Sequence, residues 1–149
     1  MLKVYLDVCC LNRPFDDQSQ DRIRFESEAL FRILSRCEVG KWKLLSSPVV
    51  RYEIENCRDE DRVKKVLELE SIASEVIHLN EEIDRRSAEL ENMGFDIFDA
   101  LHLSCAEYGK VDVFFTTDDS LLKRCVRFID EIKVRVINPI LWFMEANDD

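Results

Sequence analysis

The chain has 149 residues, 46% of them apolar and 35% charged, with only three glycines and three prolines. That length supports one core-forming domain, expected over residues 1–149, built from long regular elements rather than low-complexity linkers. A net charge of −10 argues against a protein that grips nucleic acid through a general basic surface.

The charge is unevenly spread. Residues 1–52 carry nine bases and seven acids (+2), residues 53–91 carry six and thirteen (−7), and residues 92–149 carry six and eleven (−5). Local contact of nucleic acid with the basic first third stays open. No run reaches the ~18 apolar residues of a membrane span. The first strand meets Asp7 too early for a signal peptide, so a cytoplasmic protein without membrane association is expected. The six cysteines contain no Cys-x-x-Cys pair, and only His78 and His102 could join them on zinc. We read them as reduced thiols, mostly small core residues.

In chain order, Lys3 to Val8 is an apolar run with Asp7 near its end, the pattern of a buried parallel strand. Open α/β sheets bind ligands at the C-terminal ends of such strands. An unpaired charge there is costly, so Asp7 is read as functional rather than as a plain strand-end cap. Leu11 to Asp17 is expected to be a loop, punctuated by Pro14. A helix follows from Arg22 to Cys37, with Leu30, Ile33, Leu34 and Cys37 inward. Arg22, Arg24, Arg32 and Arg36 then face outward, paired with Glu26 and Glu28 on a solvated surface.

Trp42 to Ser46 is a second strand, and Ser47-Pro48 opens a helix as N-cap and first helical residue. Glu53 lies in that helix and projects near the end of the second strand, whereas Glu55 points to the other side. From Arg58 to Met93 the chain is helical and outward-facing, with a short extended piece at Glu75–Leu79. No chemistry is assigned there, and His78 is structural.

Gly94 and Asp96 mark a loop end and an N-cap, which places Asp99 in the first turn of the next helix. Phe98, Leu101, Cys105 and Tyr108 are expected as its buried stripe. His102, one turn beyond Asp99, is read as a structural helix histidine, with proton donation as the alternative. Val111 to Thr117 is a third buried strand, ending at Asp118 and Asp119. Asp119 is expected to face solvent, and the next helix carries Lys123, Arg124 and Arg127. These cations and Arg13 either hold phosphates or pair with nearby acids. Lys133 to Ile137 is the last strand, and Asn138-Pro139 starts a terminal helix from Ile140 to Ala146.

Alternating strands and helices imply an α/β fold with a parallel sheet covered on both faces. Asp7, Glu53, Asp99 and Asp118 then come from four elements to one end of the sheet. Carboxylates so gathered raise one another's pKa, and a divalent cation is the usual remedy. Oxygen ligands select hard ions, Mg²⁺ or Mn²⁺. Such an ion activates water and neutralises charge on a phosphodiester in transit. Thr116 or Thr117 could hold a metal-bound water or Asp118, and Asp96 could add a water-mediated contact.

Four stretches also resemble a known family. Val4-Tyr-Leu-Asp7, Ser46-Ser-Pro-Val-Val-Arg-Tyr-Glu53, Asp99-Ala-Leu-His-Leu103 and Phe115-Thr-Thr-Asp118 are similar, in order, to the four acidic motifs of PIN-domain ribonucleases, including VapC-type toxins. The resemblance implies a three-layer α/β/α sandwich and Mg²⁺- or Mn²⁺-dependent cleavage of RNA. It also implies frequent homodimerisation and, for a toxin, an antitoxin partner. Carried over by position, Asp7, Glu53, Asp99 and Asp118 match the metal-site acids. Cys9 stands where many PIN domains have Asn, a poorer support for Asp7. The alternative is a catalytically quiet PIN-like module that binds a protein or RNA partner. A small-molecule phosphohydrolase ranks last, because Asp7-Val-Cys9 lacks the second carboxylate of an Asp-x-Asp site.

Overall fold

The structure, a computed structural model, describes residues 1–145. Five strands form one sheet: β1 (Leu2–Leu6), β2 (Trp42–Ser46), β3 (Glu75–Val76), β4 (Val113–Phe115) and β5 (Arg135–Ile137). Their order is β3-β2-β1-β4-β5, and every pairing is parallel. Parallel neighbours need crossovers. These are supplied by α1 (Val8–Asn12), α2 (Asp21–Glu38), α3 (Pro48–Glu55), α4 (Glu60–Glu70), α5 (Glu81–Asn92), α6 (Ile97–Tyr108) and α7 (Asp119–Arg127). Helix α8 (Pro139–Met144) follows β5. Ala146, the expected end of the last helix, lies outside the described residues.

Successive strand residues point to opposite faces, yet Val4, Tyr5 and Leu6 are all buried, as are Val113, Phe114 and Phe115. Both faces are therefore covered, which makes a three-layer α/β/α sandwich. On one face Tyr5 stacks on its register partner Phe114 at 5.2 Å and meets His102 of α6 edge-on. On the other, Phe115 meets Trp142 of α8 at 5.8 Å, and Trp142 meets Trp42. Each fully buried large apolar side chain contributes ~2 kcal/mol.

Three local expectations change. Leu11 to Asp17 is not a simple loop: α1 runs to Asn12, and a 3-10 turn spans Arg13–Phe15 with Pro14 inside it. In α6 the expected stripe does not form, because Phe98 and Tyr108 are exposed. The buried positions are instead Ala100, His102, Leu103, Ser104, Cys105 and Ala106. Small residues there let the helix approach its neighbours closely, and the bulky aromatics turn outward.

The third change is Glu26, which is fully buried rather than on a solvated surface. Its carboxylate accepts from Arg13 Nε at 2.7 Å, Arg22 Nε at 3.0 Å and Asn138 Nδ2 at 2.7 Å. Arg22 also donates twice to Asp119, at 2.8 Å each. Arg32 and Arg36 lie over the Phe143 ring. Most basic residues of the first third thus hold the fold together.

Candidate functional site

The chain places β1, β2 and β3 on one side in sequence, then returns to add β4 and β5 on the other. The reversal falls between β1 and β4, and the C-terminal ends of those strands bound a crevice suited to a ligand. Asp7 follows β1, and Thr116, Thr117 and Asp118 follow β4.

Asp7 is buried and caps α1, accepting from Val8 N at 2.8 Å. The Thr116 hydroxyl donates to its other oxygen at 2.7 Å and accepts from Asp118 N at 3.1 Å. One buried hydroxyl thereby ties the two strand ends together. Cys9 supports the same turn, its Sγ accepting from Thr117 N at 3.4 Å. The missing Asn is thus replaced by a thiol that braces the threonine loop while Thr116 braces Asp7. The Thr117 hydroxyl has no hydrogen-bond partner.

Asp118 caps α7, accepting from Ser120 N at 2.9 Å and Leu121 N at 3.3 Å. Asp96 caps α6, accepting from Asp99 N at 2.9 Å, as its spacing predicts. Gly94 has φ +102°, and a Cβ there would sit 2.6 Å from Arg124 Nη1. Only glycine lets α7 lay that guanidinium across the loop leading to Asp96.

All four predicted acids line one open cleft of about 500 Å³, together with Val8, Cys9, Asp96, Ile97 and Phe98. Single donor atoms of Asp7, Glu53 and the buried His102, which does not line the cleft, lie within 4.8 Å of one another. Asp99 and Asp118 line the cleft outside this tight group. Burial raises the pKa of Asp7, opposed by His102 and the Thr116 hydrogen bond. Burial also pushes Asp99 up to about 7, reinforced by the negative charges of Asp96, Asp7 and Asp118. Among the described residues, no guanidinium or ammonium lines the cleft with these carboxylates. The donor set fits a hard divalent cation: carboxylate oxygens converge on one cleft, and their mutual repulsion is what such an ion relieves.

His102 is the functional-site residue that sequence reasoning undervalued. It is buried, with Nε2 against the Glu53 carboxylate and Nδ1 2.7 Å from the Tyr5 hydroxyl, which in turn meets Ser47 Oγ at 2.7 Å. A histidine one turn after Asp99 on an otherwise apolar helix was the available signal. Its partners lie 49 and 97 residues away, so the signal could not be read alone.

Asp119 is exposed but bound by Arg22, and Arg13 is occupied by Glu26 and Asp16. Lys123, Arg124 and Arg127 make no salt bridge with a described residue and, with Ser120, line a concavity of about 260 Å³. Tyr52 stacks at 5.8 Å on Phe98, which lines the acidic cleft, and both rings stay exposed. No described helix is long and apolar enough to cross a membrane.

The fold and site define a class: three-layer α/β/α domains that gather carboxylates at the C-terminal edge of a parallel sheet, where the strand order reverses. The chain belongs to the PIN-domain family, whose model matches residues 4–126. Solved structures with the same fold include VapBC-1 from nontypeable Haemophilus influenzae, with TM-score 0.59, 13% identity and coverage of 93% of this chain and 98% of that one. A toxin-antitoxin complex from Klebsiella pneumoniae gives 0.60 and 17%, covering 91% and 97%. DNA-bound VapBC from Salmonella typhimurium gives 0.53 and 20%, covering 93% and 99%. No curated protein matches the sequence.

Proposed function

We propose that this chain is a divalent-metal-dependent endoribonuclease and the toxin of a toxin–antitoxin pair. The observation that carries the reading is the single cleft lined by Asp7, Glu53, Asp99 and Asp118, with no arginine or lysine among its described lining residues. Membership of the PIN family and the likeness of fold to toxin–antitoxin complexes support it.

Asp7 and Glu53 hold Mg²⁺ or Mn²⁺ at the tight end of the cleft, and Asp99 and Asp118 complete the set directly or through bound water. When bound, such an ion lowers the pKa of water and neutralises charge on the phosphodiester. The chain's own part is positioning. Thr116 fixes Asp7, the α6 cap fixes the turn carrying Asp99, and the α7 cap fixes Asp118. The unpaired cations of α7 suit a polyanion, and the exposed Tyr52–Phe98 pair suits an unpaired base. Both features favour single-stranded RNA beside the acids. An antitoxin and a second copy of the chain are the expected protein partners.

Cleavage of RNA in Mn²⁺, compared between wild type and Asp99→Asn, tests the assignment. Metal-dependent cleavage reduced at least ~100-fold in the variant supports it. Equal activity in both would sink it. The net charge of −10 favours one second reading, a catalytically quiet binding module. That module would bind its partner equally well with and without chelator.

A further inference from the structure

We infer that His102 is a positioning residue, neither a metal ligand nor a proton donor, and that a buried chain Ser47–Tyr5–His102–Glu53 aims the Glu53 carboxylate at the cation. The inference rests on the metal-site reading above.

The polarity of the chain follows from its Glu53 end, where an ionised carboxylate can only accept and His102 Nε2 must donate. Ser47 Oγ accepts from Val50 N at 3.3 Å and can give its own hydrogen to the Tyr5 oxygen at 2.7 Å. The Tyr5 hydroxyl hydrogen then goes to His102 Nδ1. The remaining ring hydrogen sits on Nε2 and points at Glu53. Each contact along the chain then joins a donor to an acceptor, as buried polar groups require. If Nδ1 carries a proton too, Nε2–H still faces Glu53. The opposite polarity sets a bare Nε2 against carboxylate lone pairs and forfeits the bond. Direct ligation also needs a bare Nε2 and would give up both this proton and the bond to Glu53.

The chain joins the elements that carry the acids. Tyr5 lies two residues before Asp7 on β1, and His102 lies three after Asp99 on α6. Ser47 caps the helix that carries Glu53. A closed circuit of short bonds therefore sets three carboxylates relative to one another across β1, α3 and α6. Supports of this kind behind a metal ligand are worth ~10–100-fold in affinity.

The experiment is Mn²⁺ binding by calorimetry on full-length, chelator-treated protein, with folding of each variant checked by circular dichroism. His102→Leu is expected to weaken binding at least ~10-fold. His102→Gln, whose amide nitrogen can occupy the Nε2 position, recovers most of that loss. Tyr5→Phe gives a smaller loss. Nitrogen-15 imidazole spectra of wild type are expected to show Nε2 protonated, with and without Mg²⁺. A bare Nε2, or His102→Gln as weak as His102→Leu, overturns the inference. Wild-type binding with His102→Leu unchanged overturns it and leaves the metal-site reading standing. No Mn²⁺ binding by wild type removes both.

Discussion

Two groups of carboxylates in this molecule have opposite fates. Glu26 is fully buried and bound by Arg13, Arg22 and Asn138, drawn from the 3-10 turn, α2 and the residue capping α8. Asp7, Glu53, Asp99 and Asp118 are also gathered from separate elements, but no described arginine or lysine lines their cleft. A buried carboxylate compensated from within holds the chain together, whereas a compensated active site would have no use for an external ion. The chain spends its arginines on the first group and leaves the second open. Charge balance, more than charge count, separates the structural cluster from the candidate site.

The comparison is broken most directly at Glu26. Glu26→Ala removes the buried acceptor shared by Arg13, Arg22 and Asn138 and is expected to cost about 3 kcal/mol of folding stability, measured by urea unfolding. An unchanged midpoint would show that the cluster is not structural.

The cleft should respond to pH in the opposite sense to an ordinary salt bridge. The Asp99 pKa in the folded metal-free protein is raised to about 7. Its stabilising contribution is therefore full below the unfolded-state value near 4 and is lost as pH rises through 7. Melting temperature of the metal-free protein should fall from pH 5 to pH 8, and Asp99→Asn should flatten that fall. A wild-type profile rising across this window would contradict the reading.

A cation should restore what pH removes. At a Mn²⁺ concentration 100 times Kd, stability at pH 8 rises by about 2.7 kcal/mol. Asp7→Asn and Glu53→Gln should lose that gain in a thermal-shift titration, and Glu26→Gln should keep it. Equal loss in all three would erase the distinction between the clusters.

The smallest effect concerns Asp96, which sits in the cleft yet caps α6. Asp96→Ala should cost about 1 kcal/mol by thermal unfolding, whether or not metal is present. A cost seen only with metal would move Asp96 into the cation site.

Legibility in the sequence divided by distance along the chain. Ser47-Pro48, Asp96 and Asn138-Pro139 announced their helices because each cap acts on backbone groups two or three residues away. The strand at Val4–Leu6 was legible because a parallel strand covered on both faces is apolar without alternation. The inward face of α6 was not legible. Periodicity favoured the bulky residues, whereas close packing selected Ala100, Leu103 and Ala106. Buried polar groups were the least visible. Glu26 read as a surface acid, and His102 read as a satisfied helix histidine whose partners could not be named, since a polar side chain goes inside only when partners elsewhere satisfy it.

The sequence by itself determined the alternation of strands and helices beyond the missed α1, the caps at Ser47, Asp96 and Asn138, and the four candidate acids. All of these are interactions within a few residues or short repeating patterns. Only the tertiary structure decided that β1 lies at the centre, that the strand order reverses beside Asp7, and which polar groups meet. Tyr5 to His102, His102 to Glu53 and Arg22 to Asp119 span 97, 49 and 97 residues. Contacts of that range leave no local signature, because each becomes favourable only after the sheet has brought its elements together.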